Sequence, residues 1–285
     1  MLKFQNRCLL FIVLMGIMLR SNFSYGKSQT YPQKKINKCY LPKKKGAGRF
    51  IMQTTADLIK DTLEINKNVF TSMDTVKTIV GITPFYLATR MVDTSIHNKF
   101  YTSNGHKNKH QLPSLLTKIV SKSGDVGIVL LTSFAIFSSD EKMRLVARIF
   151  GLGAFSALVA KDAFKEIKID AGLRPWNEHF NCHKRAHGGF PSGHMVEAAY
   201  MTTVWGLQYG LKAWIPLGLF SGLMFGVLVN SNRHYVSQVV AGAGLGIIYG
   251  LAANTLITKK LNQNFSFNVS AHAHGAPQLE FSYCF

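Results

Sequence analysis

Six apolar stretches, each about the length of a helix, constrain the fold of this chain more than any other feature. They are Thr75–Val92, Gly124–Ser139, Arg144–Lys165, Gly193–Tyr209, Ala213–Asn230 and Tyr235–Ile257. Segments of this kind must bury their apolar side chains against one another or against lipid. Most of them fall short of the ~20 clean apolar residues that a bilayer crossing needs. The pattern predicts an all-α bundle of six core helices, which either spans a membrane or forms the core of a membrane-attached or soluble bundle.

The first 26 residues have the features of a secretory signal peptide. Lys3 and Arg7 precede an apolar run from Cys8 to Leu19, and Ser24 and Gly26 supply small residues before a cleavage site. We expect the mature chain to begin near Lys27, and an uncleaved anchor is the alternative. Both readings place the protein in the cell envelope, and we expect the inner membrane or periplasm of a Gram-negative bacterium.

Positive charge dominates the chain. Lysine and arginine number 33 against 14 acidic residues, which gives a formal net charge of +19. We predict that residues 27–60 form a basic, polar arm, followed by a helical domain over residues 61–262. The charge favours anionic partners such as lipid headgroups and phosphorylated substrates. No nucleic-acid-binding module is recognisable in the sequence, so nucleic acid is not an expected partner.

The last 23 residues change pattern. Apolar residues alternate with polar ones over 265–271 and again over 279–285, with a turn-like stretch between them. This period of two predicts a C-terminal β-hairpin over residues 263–285, with one face docked on the bundle or touching lipid. Without Cys8, three cysteines remain, so at most one disulfide can form, and the sequence does not select the pair.

The segment Pro191-Ser192-Gly193-His194 is predicted to form an anion site at the start of a helix. Ser192 can cap the helix, and Gly193 lets a ligand approach the backbone. Amide groups in the first turn of a helix point outward and suit a phosphate. His194 is placed to give a proton to a leaving oxygen.

Cations and a second histidine lie in two neighbouring loops. The cations are Lys165, Lys168, Arg174 and Arg233. Each can neutralise phosphate oxygens, and arginine can do so through two parallel hydrogen bonds. His234 precedes the last predicted helix, where it can attack phosphorus and form a phosphohistidine.

These segments resemble the motifs of the type-2 phosphatidic acid phosphatase and vanadium haloperoxidase superfamily. That family carries Lys-x6-Arg-Pro, Pro-Ser-Gly-His and Ser-Arg-x5-His-x3-Asp at the ends of the third, fourth and sixth helices of a bundle. Pro191-Ser192-Gly193-His194 matches the second motif in full, and the stretch from His234 to Gly242 is similar to the third. The layout agrees from about residue 75 to 257.

The resemblance implies a role for each residue. Lys165, or alternatively Lys168, and Arg174 would hold phosphate oxygens together with Ser192 and the Gly193 amide. His194 would be the general acid and His234 the nucleophile. The implied function is hydrolysis of a lipid phosphate or lipid diphosphate through a phosphohistidine, with no cofactor and no metal, since the cationic cradle stabilises the transition state.

Three positions depart from the family pattern. Eight residues separate Lys165 from Arg174 and five separate Lys168 from it, where the family has six. The family arginine of the third motif falls on Leu228, for which Arg233 is a possible substitute. The family aspartate falls on Gln238. We predict that Gln238 orients the ring of His234 without supplying charge, so that Gln238→Asp should raise turnover.

Three alternatives follow from the residues. A catalytically impaired relative that binds phosphorylated lipid, or plays a structural role in the envelope, fits the loss of the aspartate and arginine. A haloperoxidase holding vanadate in the same pocket is a weaker alternative. His179, Cys182, His183 and His187 could form a zinc site, although a polar loop around an anion site is the preferred interpretation.

Overall fold

The structure, a computed structural model, describes residues 47–100, 114–175, 187–263, 265–271 and 277–283. These residues contain seven α-helices and one 3-10 turn at Asp170–Gly172. The helices are α1 (Ala47–Thr71), α2 (Met73–Phe100), α3 (Ser114–Ile136), α4 (Glu141–Glu166), α5 (Gly193–Tyr209), α6 (Leu211–Asn230) and α7 (Val236–Gln263). The helical class is confirmed, and each predicted apolar stretch lies largely within one of α2 to α7.

Helix α1 is an addition to the predicted elements, and it begins inside the stretch assigned to a basic arm. Its buried positions are Leu58, Asp61, Ile65 and Val69, a narrow stripe at helical spacing between more exposed residues of mixed polarity. The sequence signal is weak because one of the four buried positions is an acid. The Asp61 carboxylate binds Arg148 of α4 at 2.6 Å and Lys260 of α7 at 2.5 Å, which attaches α1 to the bundle.

Helices α5 and α7 form the centre of the bundle. Three glycines of α7, four residues apart, allow this close approach. A Cβ atom on Gly242 would lie 2.5 Å from the Ser192 carbonyl oxygen, and one on Gly250 would lie 2.6 Å from Cβ of Thr203. The stripe formed by Gly242, Gly246 and Gly250 therefore packs against α5, and it fixes the start of α5 against α7.

Three helices of the described residues, α4, α6 and α7, are long and apolar enough to cross a membrane. A fourth span is reached if the two halves of α3, which are bent by 46° relative to each other, count as one. Large apolar side chains also cover the outer surface of α2, α3 and α6, among them Phe85, Met91, Phe134 and Leu219. Such a surface is typical of a protein in contact with lipid.

Two strands, β1 (Phe265–Ala271) and β2 (Pro277–Tyr283), pair in antiparallel fashion after α7. Phe265 lies opposite Tyr283 and Ala271 opposite Pro277. The apolar face expected of a C-terminal hairpin stays a prediction. The signal peptide, most of the basic arm, all four cysteines, and the zinc candidates His179 and His183 lie outside the described residues.

Candidate active site

Three loops at one end of the bundle are held together by hydrogen bonds. The amide of Gly189 donates to the carbonyl of Gly172 at 2.8 Å, and that of Ser192 donates to the carbonyl of Gln238 at 3.1 Å. The guanidinium of Arg174 donates to the carbonyls of Gly188 at 3.2 Å and Arg233 at 3.3 Å. The loop after α4, the loop before α5 and the loop before α7 thus form one site, with Arg174 at the junction.

Ser192 lies at the floor of this site. It is the N-cap residue of α5, but its side chain makes no capping hydrogen bond, so the predicted capping role is wrong. The residue is fully buried, and its Oγ has no hydrogen-bond partner among the described residues. A buried hydroxyl without a partner is costly, which favours a ligand that supplies one.

Lys161 is the cation beside Ser192 and Gly193, and the sequence interpretation missed it. This α4 lysine is 0% exposed, and its Nζ lies 3.2 Å from the position of a Cβ on Gly193. Nζ is 2.8 Å from Oδ1 of Asp162, without the geometry of a hydrogen bond. A buried ammonium group in this arrangement is poised for an anion. The sequence feature that could have identified Lys161 is a lysine inside the apolar-rich stretch Arg144–Lys165, one helical turn before Lys165.

The other predicted lysines lie farther out. Lys165 is a quarter exposed and pairs with Asp162 at 3.6 Å. Lys168 is exposed beyond the end of α4. The family spacing favoured these two because it counts along the chain, whereas the loop before Arg174 contains a 3-10 turn that lengthens the connection.

His234 is buried and held at one ring nitrogen. Its Nδ1 lies 2.8 Å from the carbonyl oxygen of Gly189. Because a carbonyl only accepts, Nδ1 carries the proton and Nε2 keeps its lone pair in the neutral ring. Burial, followed by the positive charges of Arg174 and His194, holds the pKa of His234 well below its usual range, against a smaller opposing effect of the Gly189 bond.

Gln238 does not orient His234, so this prediction is wrong. Its amide nitrogen donates to the carbonyls of Ala171 and Leu173, both at 2.8 Å, and its oxygen accepts from the Tyr235 amide at 3.2 Å. The side chain points away from the imidazole because two carbonyls of the loop after α4 need a donor. Gln238 therefore joins that loop to the first turn of α7.

The remaining positions of the third motif are explained by burial. Leu228 is completely buried in the core, and its carbonyl accepts from the amides of Arg233 and His234 at 3.3 Å. No arginine could occupy that site without repacking the core. Arg233 is partly exposed, and its carbonyl accepts a hydrogen bond from the Arg174 guanidinium at 3.3 Å.

His194 lies in the first turn of α5 and is partly exposed. Its ring Cδ2 is 3.8 Å from the position of a Cβ on Gly124 of α3. Glu197, one helical turn later, is buried beside the same glycine. His194 is thus at the open side of the site, near enough to His234 for its charge to affect the pKa there.

Asp93 of α2 is a second residue that the sequence interpretation missed. It is 2% exposed, and its carboxylate accepts hydrogen bonds from the amide and the hydroxyl of Ser237 in the first turn of α7. A carboxylate at the N-terminal end of a helix also interacts favourably with the helix dipole. Asp93 therefore fixes the helix start that follows His234.

The described residues contain no group of three potential metal ligands. Of the proposed zinc cluster, only His187 lies among them, and it is exposed.

The bundle and its site define a class of protein: an apolar helical bundle whose helix ends present two histidines and buried cations to an anion. The sequence model of the PAP2 superfamily matches residues 144–262, from α4 to α7. The match confirms the resemblance seen in the motifs, and residues 144–262 form a region of the PAP2 superfamily.

No curated protein matches the sequence significantly. Among solved structures, a transmembrane PAP2-type phosphatidylglycerolphosphate phosphatase from Bacillus subtilis is similar to this chain, with 17% sequence identity and a TM-score of 0.45. The similarity covers 63% of this chain and 96% of the other. A likeness this distant gives no information on substrate or mechanism.

Proposed function

We propose that this protein hydrolyses a lipid phosphate or lipid diphosphate through a phosphohistidine formed on His234. One observation carries the proposal. A buried, neutral imidazole, with Nδ1 bound to Gly189 and Nε2 unprotonated, shares its site with a buried ammonium and a buried hydroxyl that lack hydrogen-bond partners. A phosphoryl group would satisfy both while presenting phosphorus to the histidine.

The reaction proceeds in two steps. Nε2 of His234 attacks phosphorus, the bond from phosphorus to the ester oxygen breaks, and His194 gives that oxygen its proton. Water then attacks the phosphohistidine, with His194 accepting a proton, and the nitrogen–phosphorus bond breaks to release phosphate. His194 loses its proton in the first step and regains it in the second, so the two steps together restore the starting protonation states.

Four groups would hold the phosphoryl oxygens during both steps: the Lys161 ammonium, the Arg174 guanidinium, the Ser192 hydroxyl and the Gly193 amide. Lys161 takes the role that the resemblance gave to Lys165 or Lys168, because it is buried against Gly193. Lys165 and Arg233 contribute positive charge at the edge. Preorganised donors in a water-poor site are the main source of stabilisation in reactions of this kind.

The six helices α2 to α7 would form the phosphatase core, with the active site near one surface of a membrane. We place the protein in the envelope, in the inner membrane or facing the periplasm. The apolar outer surface of α2, α3 and α6 and the long apolar helices α4, α6 and α7 support contact with lipid.

A second candidate function is binding of phosphorylated lipid without turnover. It is favoured by the hydrogen-bond acceptor of His234, which is the neutral carbonyl of Gly189 and carries no charge. A carbonyl orients the ring but offsets less of the positive charge that develops during attack.

Transfer of labelled phosphate separates the two functions. Protein in mixed micelles is given phosphatidate labelled at phosphorus, and the reaction is stopped in alkali, where phosphohistidine survives. We expect labelled protein and released phosphate from the wild type, and neither from His234→Ala. His187→Ala, which alters an exposed histidine of a neighbouring loop, should behave as wild type. Saturable binding without label or release would favour the binding function, and full activity of His234→Ala would contradict the nucleophile assignment.

A further inference from the structure

An apolar groove of about 290 Å³ opens between α2 and α7, next to the anion site. Its walls come from Ile79, Ile82, Leu245 and Ile248, and one end is formed by Phe164, Phe190 and Pro191. Pro191 directly precedes Ser192, so the groove and the phosphate cradle share a segment. We propose that this groove holds one hydrocarbon chain of the phosphorylated lipid, an inference that rests on the proposed function.

The two threonines that line the groove bond their hydroxyls within their own helix. The hydroxyls of Thr78 and Thr83 both donate at 2.7 Å to carbonyls of their own helix, those of Asp74 and Ile79. Their hydrogen-bonding capacity is thus satisfied within α2. A hydrocarbon chain would therefore meet no unpaired hydroxyl donor from either threonine.

The end of the groove nearest the phosphate cradle is aromatic. The ring of Phe190 makes edge-on contacts with Tyr86 at 5.9 Å and Phe164 at 6.5 Å between centroids. Phe164 lies on α4 between the two lysines of the site, Lys161 and Lys165. Rings in this arrangement form an apolar boundary between the chain and the cationic cradle.

The size of the groove selects a single chain. Its volume of about 290 Å³ lies at the lower end of the range for small-molecule pockets, so the groove suits one hydrocarbon chain and not a whole lipid. On the outer side, α2 also exposes Phe85 and Leu87, and an apolar surface of this kind suits contact with lipid. A substrate could therefore enter sideways from the membrane, chain first.

The probes are non-hydrolysable alkyl phosphonates of four, eight, twelve and sixteen carbons, measured by calorimetry with inorganic phosphate as competitor. Affinities are corrected for partition into the micelle. Each buried methylene should strengthen binding about fourfold. We expect affinity to rise with chain length until the groove is filled and then to level off.

The test variant is Thr83→Phe, which fills the groove from the exposed side of α2 without touching the core. The matched control is Val80→Phe, an equal change on the same helix at a position that is 66% exposed and does not line the groove. Thr83→Phe should weaken the twelve-carbon phosphonate at least tenfold and leave the four-carbon phosphonate unchanged. Val80→Phe should change neither. Ala241→Leu, from the opposite wall, should repeat the effect of Thr83→Phe.

Two results would overturn the proposal. In one, affinity does not depend on chain length in the wild type. In the other, both groove variants bind the long phosphonate normally, or lose the short and the long phosphonate equally. Because this readout is binding, it stands apart from catalysis: chain-dependent binding without phosphate release would contradict the phosphatase and retain the groove.

Discussion

Among the described residues, His234 is held as a neutral ring by a hydrogen bond at Nδ1. The Gly189 carbonyl fixes Nδ1 as the protonated nitrogen, and the surrounding cations disfavour a second proton. A carboxylate in place of the carbonyl would stabilise the imidazolium and thereby raise its pKa. This site therefore keeps its nucleophile unprotonated over a wide pH range, but it gives less stabilisation once the ring becomes positive.

Replacing each lysine near the site in turn should show how much each contributes to kcat/KM. Lys161→Met should lower kcat/KM by about 100- to 1000-fold, as loss of a preorganised donor does. Lys165→Met should cost less because that side chain is partly exposed, and Lys168→Met should cost least. Lys67→Met, on the exposed side of α1, is the control. A larger loss for Lys165→Met than for Lys161→Met would restore the assignment made from motif spacing.

Gln238→Asp should not raise turnover, contrary to the sequence prediction. An ionised aspartate cannot donate to the carbonyls of Ala171 and Leu173, so two partly buried acceptors lose their partner. Each such loss destabilises the folded state, by less than the full cost for a completely buried group. We expect a lower free energy of unfolding and a slower reaction, measured by thermal unfolding and single-turnover hydrolysis. A faster variant would show that the carboxylate reaches His234 after rearrangement of the loop.

Arg174→Gln should move the acidic limb of the kcat/KM profile to higher pH. A protonated His234 cannot attack, so activity falls as the pH drops through the pKa of that residue. The Arg174 charge lowers this pKa, and its removal should raise it. Lys67→Gln should leave the limb in place. The position of the limb is read separately from the height of the profile, which will also fall because Arg174 holds phosphate. An unmoved limb would contradict the electrostatic role.

At the scale of elements, the start of α7 is fixed from three sides. Asp93 of α2 binds Ser237, the Gln238 side chain binds the loop after α4, and the Gln238 carbonyl accepts from Ser192 at the start of α5. His234 immediately precedes this turn. The proposed nucleophile is consequently positioned in part by α2, which carries none of the three motifs.

Asp93→Ala should destabilise the protein by about 1–2 kcal/mol, the usual cost of losing a helix cap. Activity should fall with it, through kcat more than through KM, because the variant displaces the turn that carries His234 and leaves the phosphate cradle in place. Asp74→Ala, at an exposed acid in the same helix, is the control and should change neither. Melting temperature and steady-state kinetics measure the two effects. A destabilised variant with unchanged kcat would limit Asp93 to a structural role.

At the scale of the whole molecule, the bundle brings cations from α4 and its following loop to a helix start on α5 and a histidine before α7. This arrangement gathers positive charge on one small anion. The apolar surface of the other helices keeps the protein at the lipid. An enzyme built this way would meet its substrate at the level of the headgroup.

Vanadate and phosphate should inhibit competitively, because both fit a cradle formed by Lys161, Arg174, Ser192 and Gly193. Chelators should leave activity unchanged, since the protein's own cations neutralise the phosphoryl charge. The measurement is the inhibition pattern in steady-state hydrolysis, with sulfate at equal ionic strength as the control for salt. Loss of activity on chelation that zinc restores would instead support the site around His179 and His187.

The sequence by itself determined the helical class, because long apolar stretches can only be buried in a few ways. It also determined the superfamily, because Pro191-Ser192-Gly193-His194 is contiguous and survives as a motif. Local patterns of this kind need no knowledge of distant contacts. The weak, acid-interrupted stripe of α1 escaped the same analysis.

The lysine that lies in the site and the hydrogen-bond acceptor of His234 became evident from the tertiary packing alone. The packing of α4 against α5 places Lys161 in the site. The hydrogen-bond acceptor of His234 lies in a loop 45 residues away in the sequence. Asp93 reaches Ser237 across 144 residues. Spacing along the chain cannot report such contacts, because loops absorb insertions while buried polar groups take whichever partner the packing brings within hydrogen-bond distance.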